Sequence, residues 1–153
     1  MKLIVYGGAA IEYYLSGSHS ANDVDIKCSN LKRVTEVLCN AGFTRSGEVF
    51  WHTKLRAPIQ LCDDDGERRT SISVKGYKVH IITVEQAILN YTHKFIENGD
   101  NLEPVFVADL IEKYKAELDF PGLLERASCF GNTHYHVLRA IIALKAERYF
   151  INP

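Results

Sequence analysis

The sequence lacks any uninterrupted run of about 18 apolar residues, the length that an α-helix needs to cross a bilayer. It also lacks an excess of charge of either sign, because 18 Lys and Arg residues face 19 Asp and Glu residues, for a formal net charge of -1. We therefore expect no membrane-spanning helix and no overall basic field, so a nucleic-acid partner would have to meet a local patch. The apolar stretch behind Met1 is too brief for a secretory signal peptide.

Cysteine is scarce and is not arranged for metal binding. The four cysteines form no C-x-x-C pair, and no Cys/His cluster has zinc spacing; they are Cys28, Cys39, Cys62 and Cys129. We predict reduced thiols in a cytoplasmic protein. His134 and His136 are two residues apart on a predicted helix and do not face each other, which favours a structural role for both.

The order of the predicted elements indicates the fold class. The 153 residues suit one domain, or one small domain with an appendage. The predicted strands are 2–6, 23–27, a segment within 43–51, 58–62, 70–74 and 77–82, and the predicted helices are 9–15, 31–41, one opening at 83–86, one from 104, 120–127 and 133–150. The acidic run 63–66 predicts a hairpin turn. Strands and helices mix up to about residue 82 and helices alone follow, which predicts an α+β fold with a helical C-terminal appendage.

A glycine pair followed by two spaced aspartates is the most informative motif. Gly7 and Gly8 end the first predicted strand, and Asp23 and Asp25 lie on the second. Glycines let a backbone approach phosphates closely, and two carboxylates on one face of a strand can share a hard cation. The plainer alternatives are a tight turn at the glycines and solvated aspartates at a strand edge.

This order of glycine pair, short helix and D-x-D resembles the DNA polymerase β-type nucleotidyltransferase superfamily, in particular its minimal bacterial and phage members, which include abortive-infection toxins and antitoxin-like proteins. The resemblance covers about residues 2–115, where Lys94 and Asp109 match a lysine and an acidic position of the later helices. It implies a small mixed β-sheet core over residues 1–97, with residues 98–153 as a helical region packed on that core.

The resemblance also implies a chemistry. A member of this superfamily moves a nucleoside monophosphate from a nucleoside triphosphate, ATP among the candidates, to a hydroxyl group of an RNA end, a protein or a small molecule. Asp23 and Asp25 would be catalytic and would hold Mg²⁺, in a two-ion site if the protein is active. Gly7 and Gly8 would line the phosphates, and Ser18 and Lys94 would contact the nucleotide; the neighbouring Ser16 and Ser20 are further donors.

A third carboxylate separates the two main functional hypotheses. The superfamily usually places one on a neighbouring strand, and Asp63 is the candidate here. By strand parity Asp63 shares a face with Leu61 and lies opposite Gln60, so a bulge would be needed to bring it to the site. Without a third acid, the alternative is a degenerate nucleotidyltransferase fold that acts as a binding or regulatory, antitoxin-like module. An unrelated α+β protein and a homodimer also stay open.

Overall fold

A computed structural model describes residues 2–55, 57–99 and 102–150, with side chains up to residue 146. Within these ranges the chain forms six helices and one seven-stranded sheet, an α+β fold as predicted. The strands are β1 (Leu3–Tyr6), β2 (Val24–Cys28), β3 (Thr44–Ser46), β4 (Val49–Trp51), β5 (Ile59–Asp63), β6 (Arg69–Val74) and β7 (Tyr77–Ile82). The helices are α1 (Gly7–Tyr14), α2 (Leu31–Asn40), α3 (Val84–Asn98), α4 (Glu103–Tyr114), α5 (Phe120–Ser128) and α6 (Asn132–Phe150).

Local sequence signals account for several element ends. Asn30 caps α2, and its side chain accepts a hydrogen bond of 2.9 Å from the Arg33 backbone N–H. Proline stands in the first turn of α4 and of α5, where its missing N–H costs no helical hydrogen bond. The segment predicted as one strand within 43–51 is instead two short paired strands, β3 and β4, because Gly47 adopts a φ of +63° and turns the chain between them.

The sheet is mixed, with the order β3-β4-β5-β2-β1-β7-β6. β1 pairs antiparallel with β2 and parallel with β7, and β2 pairs parallel with β5. The outer pairs, β3 with β4, β4 with β5 and β6 with β7, are antiparallel. β1, which ends directly before Gly7, and β2, which contains Asp25, are therefore neighbours at the centre of the sheet.

The segment 64–68 is not the predicted hairpin turn. It leads from β5 to β6, which run in the same direction and have β2, β1 and β7 between them. Four strand spacings amount to about 19 Å, and the six Cα steps from Asp63 to Arg69 reach about 20 Å. The connection is therefore nearly extended and crosses the sheet; we call residues 64–68 the crossover segment. The turn signal was misleading because strand order is a tertiary property.

One face of the sheet is apolar. Its buried members are Cys28, Phe50 and Leu61, and Val34 of α2 packs against them. Partly buried side chains surround this cluster; they are Leu3, Ile26, Leu31, Leu38, Phe43 and Ile59. Alternate residues of β2 and β5 thus lie under α2, whose Val34 faces the sheet, and the intervening residues lie on the other face.

The chain divides into two compact units, Met1–Thr83 and Val84–Pro153. The first contains the sheet with α1 and α2, and the second contains α3 to α6. The predicted boundary, between residues 97 and 98, falls at the end of α3. In the structure α3 packs against α4, α5 and α6, so it belongs with the helices that follow it.

In the ranges that the structure describes, no helix has both the length and the apolar character to cross a membrane. The thiols of all four cysteines are free, and two of them, Cys39 and Cys129, are exposed.

Candidate nucleotide site

Gly7 and Asp25 are brought into direct contact at the junction of β1 and α1. β1 leads into the helix without a loop, and Gly7 makes this junction with a φ of +61°, a conformation that side chains disfavour. A Cβ atom placed on Gly7 would overlap with Oδ2 of Asp25. The glycine is therefore required for both its backbone conformation and the space that the carboxylate occupies.

A row of side chains crosses three strands next to this contact. Tyr6 of β1 is in register with Asp25 of β2, which is in register with Gln60 of β5. Residues that are directly opposed in a sheet place their side chains on the same face. The neighbour of Asp25 on β5 is therefore an amide and not a carboxylate.

The predicted third carboxylate lies on the other face. Asp63 is in register with Cys28, and the register of β2 with β5 runs without a bulge from Ile59 to Asp63. Because side chains alternate along a strand, Asp63 belongs to the apolar face and Asp25 to the polar one. The structure does not bring Asp63 to Asp25.

A lysine occupies the next position of the polar face. Lys27 follows Asp25 by two residues and is in register with Ile4 and Cys62. Its ammonium lies 2.6 Å from Asp65 and 2.8 Å from Glu67, two acids of the crossover segment. The Lys27 side chain is only 8% exposed and that of Glu67 13% exposed. The ion pairs hold the crossover segment over the polar face. Because the segment covers Lys27, the lysine side chain is buried.

These ion pairs change the acidity of the lysine. Burial by itself lowers the pKa of Lys27, but its hydrogen bonds to Asp65 and Glu67 outweigh burial and raise the pKa above its ordinary value of 10.5. The ammonium is therefore charged across the physiological range. It balances negative charge on a face where Asp25 is two residues away.

Tyr6 and Cys62 form a second pair on this face. The Cys62 thiol donates to the Tyr6 hydroxyl over 3.0 Å, and the Lys27 ammonium lies 4.9 Å from the centre of the Tyr6 ring. Burial raises the pKa of Tyr6, and the charges of Asp25 and Glu67 raise it further. Burial also raises the pKa of Cys62. Both groups therefore stay protonated at neutral pH and act as hydrogen-bonding groups, not as a nucleophile or a base.

The loop between α1 and β2 positions Asp23. Glu12 of α1 accepts a 2.9 Å hydrogen bond from the Ala21 backbone N–H. A Cβ atom on Gly8 would lie 3.4 Å from the Ala21 side chain, so this loop rests against the start of the helix. The predicted strand 23–27 contains Asp23, whereas the observed strand β2 begins one residue later, at Val24. The nearby serines Ser16, Ser18 and Ser20 are exposed.

The two remaining predicted residues belong to the second unit. Lys94 lies on α3, where its ammonium is 3.3 Å from Oε1 of the buried Glu103 and 5.5 Å from the centre of the Tyr91 ring. Asp109 is an exposed residue of α4. The role of Lys94 in nucleotide binding stays a prediction.

The arrangement offers oxygen ligands but few carboxylates. Asp23 and Asp25 flank the start of β2, and Gln60 adds an amide oxygen. Among the residues that the structure describes, one group brings three potential metal ligands of Asp, Glu, His or Cys within 4.8 Å of one another. That group lies in the second unit and not on the polar face. The polar face can therefore hold a hard cation through two carboxylates and neutral oxygens, with water or a ligand completing the shell.

Reasoning from the sequence missed Lys27, Tyr6 and Glu67. Alternation along β2 was a sufficient signal for Lys27, because it places that residue on the face of Asp25. Tyr6 follows by the same rule once the pairing of β1 with β2 is known. Glu67 carried no such signal, since its position depends on the crossing of the sheet by the segment that contains it.

No protein-family model matches the chain, and no curated protein matches it in sequence. Among solved structures, it is similar to an antigenic nucleotidyltransferase-like protein from Paracoccidioides brasiliensis, with a TM-score of 0.66 and 14% identity, over 95% of this chain and 81% of that one. It also matches the antibiotic-resistance factor ANT(2'')-Ia, with a TM-score of 0.49 and 17% identity over 98% and 84% of the two chains, which is too loose a match to bear on the fold. At such identity the first similarity establishes architecture alone: this protein has a nucleotidyltransferase-like fold.

Proposed function

We propose that this protein binds the Mg²⁺ complex of a nucleoside triphosphate on the polar face of the sheet. The observation that carries the proposal is the contact between the bare backbone of Gly7 and the carboxylate of Asp25, within a nucleotidyltransferase-like fold. A site for a metal-bound triphosphate needs a carboxylate for the ion close to backbone N–H groups for the phosphates, and the bare Cα of Gly7 lets the Asp25 carboxylate lie against the start of α1.

The donor set fits Mg²⁺. This ion prefers oxygen ligands and usually keeps several waters, so one or two carboxylates and the substrate phosphates suffice. Asp23 and Asp25 supply the carboxylates, and the amide of Gln60 stands beside Asp25 on the neighbouring strand. The first turn of α1 contains Gly7 and Gly8, and the N–H groups of a first turn favour anions. Ser18 would be a further donor to the phosphates.

The function supported best is nucleotide binding without transfer, as in a regulatory, antitoxin-like module. A transferase must activate the acceptor hydroxyl, and a third carboxylate usually does so. Here the β5 neighbour of Asp25 is Gln60, and Asp63 lies on the opposite face. Lys27 engages the acids of the crossover segment through its ion pairs with Asp65 and Glu67. Binding of the triphosphate does not need a third carboxylate.

A specific observation favours the second candidate, Mg²⁺-dependent nucleotidyl transfer. The Lys27 ammonium lies 2.8 Å from Glu67 and 4.9 Å from the centre of the Tyr6 ring. Tyr6 is in register with Asp25, so both acids lie near one side chain. If an incoming ion displaces the Lys27 ammonium, Glu67 becomes the third carboxylate. The oxygen of an acceptor hydroxyl would then attack the α-phosphorus, and the bond between that phosphorus and the pyrophosphate leaving group would break. The proton of the hydroxyl would pass to Glu67. The acceptor would be an RNA end, a protein or a small molecule.

Thermal unfolding with each of the four ribonucleoside triphosphates, with and without Mg²⁺, tests binding. A ligand at 100 times its dissociation constant adds about 2.7 kcal/mol to the free energy of unfolding. We expect such a shift only with Mg²⁺ and expect Asp25→Asn to abolish it. The matched control is Asp63→Asn, which removes a carboxylate from the opposite face and should leave the shift unchanged. No shift with any triphosphate, or equal loss in both variants, would refute the proposal.

Release of pyrophosphate from a labelled triphosphate separates the two candidates. A binding module shows the thermal shift and releases no pyrophosphate with RNA, protein or small hydroxylated acceptors. A transferase releases pyrophosphate, and Glu67→Gln would stop this release while the nucleotide-dependent shift persists. Turnover that survives in Glu67→Gln would exclude Glu67 as the third carboxylate.

A further inference from the structure

A cluster of metal-ligating side chains lies in the helical unit, outside the candidate nucleotide site. His93 and Glu97 are four residues apart on α3 and so lie on one face of that helix. His134 is in the first turn of α6. One ligand atom from each of the three residues lies within 4.8 Å of the other two. The sequence predicted a structural role for His134 because only His136 was weighed as its partner, whereas the real partner comes from another helix.

The two imidazoles are aligned through their nitrogens. Nδ1 of His93 lies 2.9 Å from Nε2 of His134, and the rings are stacked with their centres 5.2 Å apart. Such a contact needs one proton shared between the two nitrogens. Two nitrogens bound to one tetrahedral Zn²⁺ at about 2.0–2.1 Å lie about 3.3 Å apart. An opening of a few tenths of an ångström, with a rotation of the rings that aims both lone pairs at one point, would let a metal ion replace that proton.

The surroundings hold one ligand firmly and leave the others accessible. His134 is 6% exposed, so its ring is held by packing, whereas His93 and Glu97 are exposed. Phe130 packs against both histidine rings, with centres 5.4 Å and 5.6 Å away. The packed wall orients the imidazoles, and the exposed side gives an ion a way in. The Glu97 carboxylate can swing toward the ion because its side chain is on the surface.

We propose that His93, Glu97 and His134 form a binding site for Zn²⁺, with water as the fourth ligand. Two imidazoles and one carboxylate suit zinc, whereas Mg²⁺ prefers an all-oxygen shell, so this site and the aspartate site select different ions. A bound ion would link the end of α3 to the start of α6 and stabilise the helical unit, since binding to the folded state alone raises its stability.

Titration of Zn²⁺ into metal-free, untagged protein by isothermal calorimetry tests the proposal. We expect one Zn²⁺ per chain, a higher melting temperature in its presence, and the visible absorption of tetrahedral cobalt when Co²⁺ is used instead. His93→Ala and Glu97→Gln change exposed residues and should fold. We expect each to weaken Zn²⁺ binding by at least about tenfold, since loss of outer-shell partners alone costs 10–100-fold.

The controls separate this site from other zinc ligands on the chain. His136→Ala removes an exposed histidine two residues from His134 and should bind Zn²⁺ as the wild type does. The measurements are repeated with the exposed thiols removed, as Cys39→Ser with Cys129→Ser, and one ion per chain should still bind. Absence of Zn²⁺ binding by the folded wild type, or equal affinity in His93→Ala and His136→Ala, would overturn the proposal and leave a hydrogen-bonded histidine pair.

Discussion

The two faces of the sheet are built from alternate residues of the same strands, yet they are closed in different ways. Leu61 and its neighbours on the apolar face pack against Val34 of α2, and their burial needs no partner beyond another apolar surface. On the polar face Lys27 is buried and Tyr6 is half-buried, and both lie among charged and hydrogen-bonding groups. Each of these groups needs a specific partner, because a buried polar group without one is costly.

The crossover segment thus covers the polar face, as α2 covers the apolar face. It brings Asp65 and Glu67 to Lys27, which makes burial of the ammonium tolerable. Asp64 secures the same segment, since its carboxylate accepts from the Gly66 N–H at 3.0 Å and pairs with Arg69 at 2.8 Å. The polar face is thus closed by paired charges on a single segment of chain, whereas the apolar face is closed by the hydrophobic core itself.

The largest effect is expected on the apolar face. Phe50 is 1% exposed, and truncation of a buried phenylalanine leaves a cavity, so Phe50→Ala should lower the free energy of unfolding by about 4 kcal/mol. The adjacent Trp51 is 53% exposed, and Trp51→Ala should cost less than about 1 kcal/mol. Urea unfolding measures both. Similar losses in the two variants would show that the faces are not closed in different ways.

A smaller loss is expected on the polar face. Lys27→Met removes the ammonium that faces the covered Glu67 carboxylate, whereas Asp65, at 58% exposed, stays in contact with water. Removal of one partner from a fully buried pair costs 3–5 kcal/mol, and we discount this to about 2 kcal/mol because one acid is solvated. The exposed Lys78 provides the control, and Lys78→Met should leave the free energy of unfolding nearly unchanged.

The same pair predicts a dependence on alkaline pH. Folding raises the pKa of Lys27 above its ordinary value of 10.5. The ion pairs of Lys27 therefore contribute fully to the free energy of unfolding below that pH, and this contribution is lost as pH rises through the pKa of the folded protein. The wild type should therefore lose stability above about pH 10.5, and Lys27→Met should lack this part of the loss. Equal alkaline losses in the two proteins would contradict the ion pairing.

The smallest effect is a difference in thiol labelling rates. Iodoacetamide should modify the exposed Cys39 and Cys129 first, because thiolates react and access is open. Cys62 should follow slowly, since burial raises its pKa, and Cys28, which is 0% exposed on the apolar face, should be last. In denaturant all four should react alike. Labelling of Cys62 as fast as that of Cys39 would mean that the crossover segment does not cover the polar face.

Much of the fold could be predicted from local patterns. The predicted helix 31–41 and the predicted strands 70–74 and 77–82 end within a few residues of α2, β6 and β7, at the Asn30 cap and at the turn of Lys75 and Gly76. Of the candidate site, the neighbourhood of Gly7 and Asp25 followed from motif order. Strand parity in the sequence already predicted that Asp63 and Gln60 lie on opposite faces. The structure adds that no bulge between Ile59 and Asp63 changes this alternation.

Local sequence patterns specify which residues alternate along the strands and which segments form helices. Those properties depend on neighbours a few residues away. The tertiary fold is what carries the crossover segment over the sheet and brings Lys27 to Glu67 and His93 to His134. Such pairs are separated by tens of residues and are set by strand order and helix packing, which no local pattern encodes.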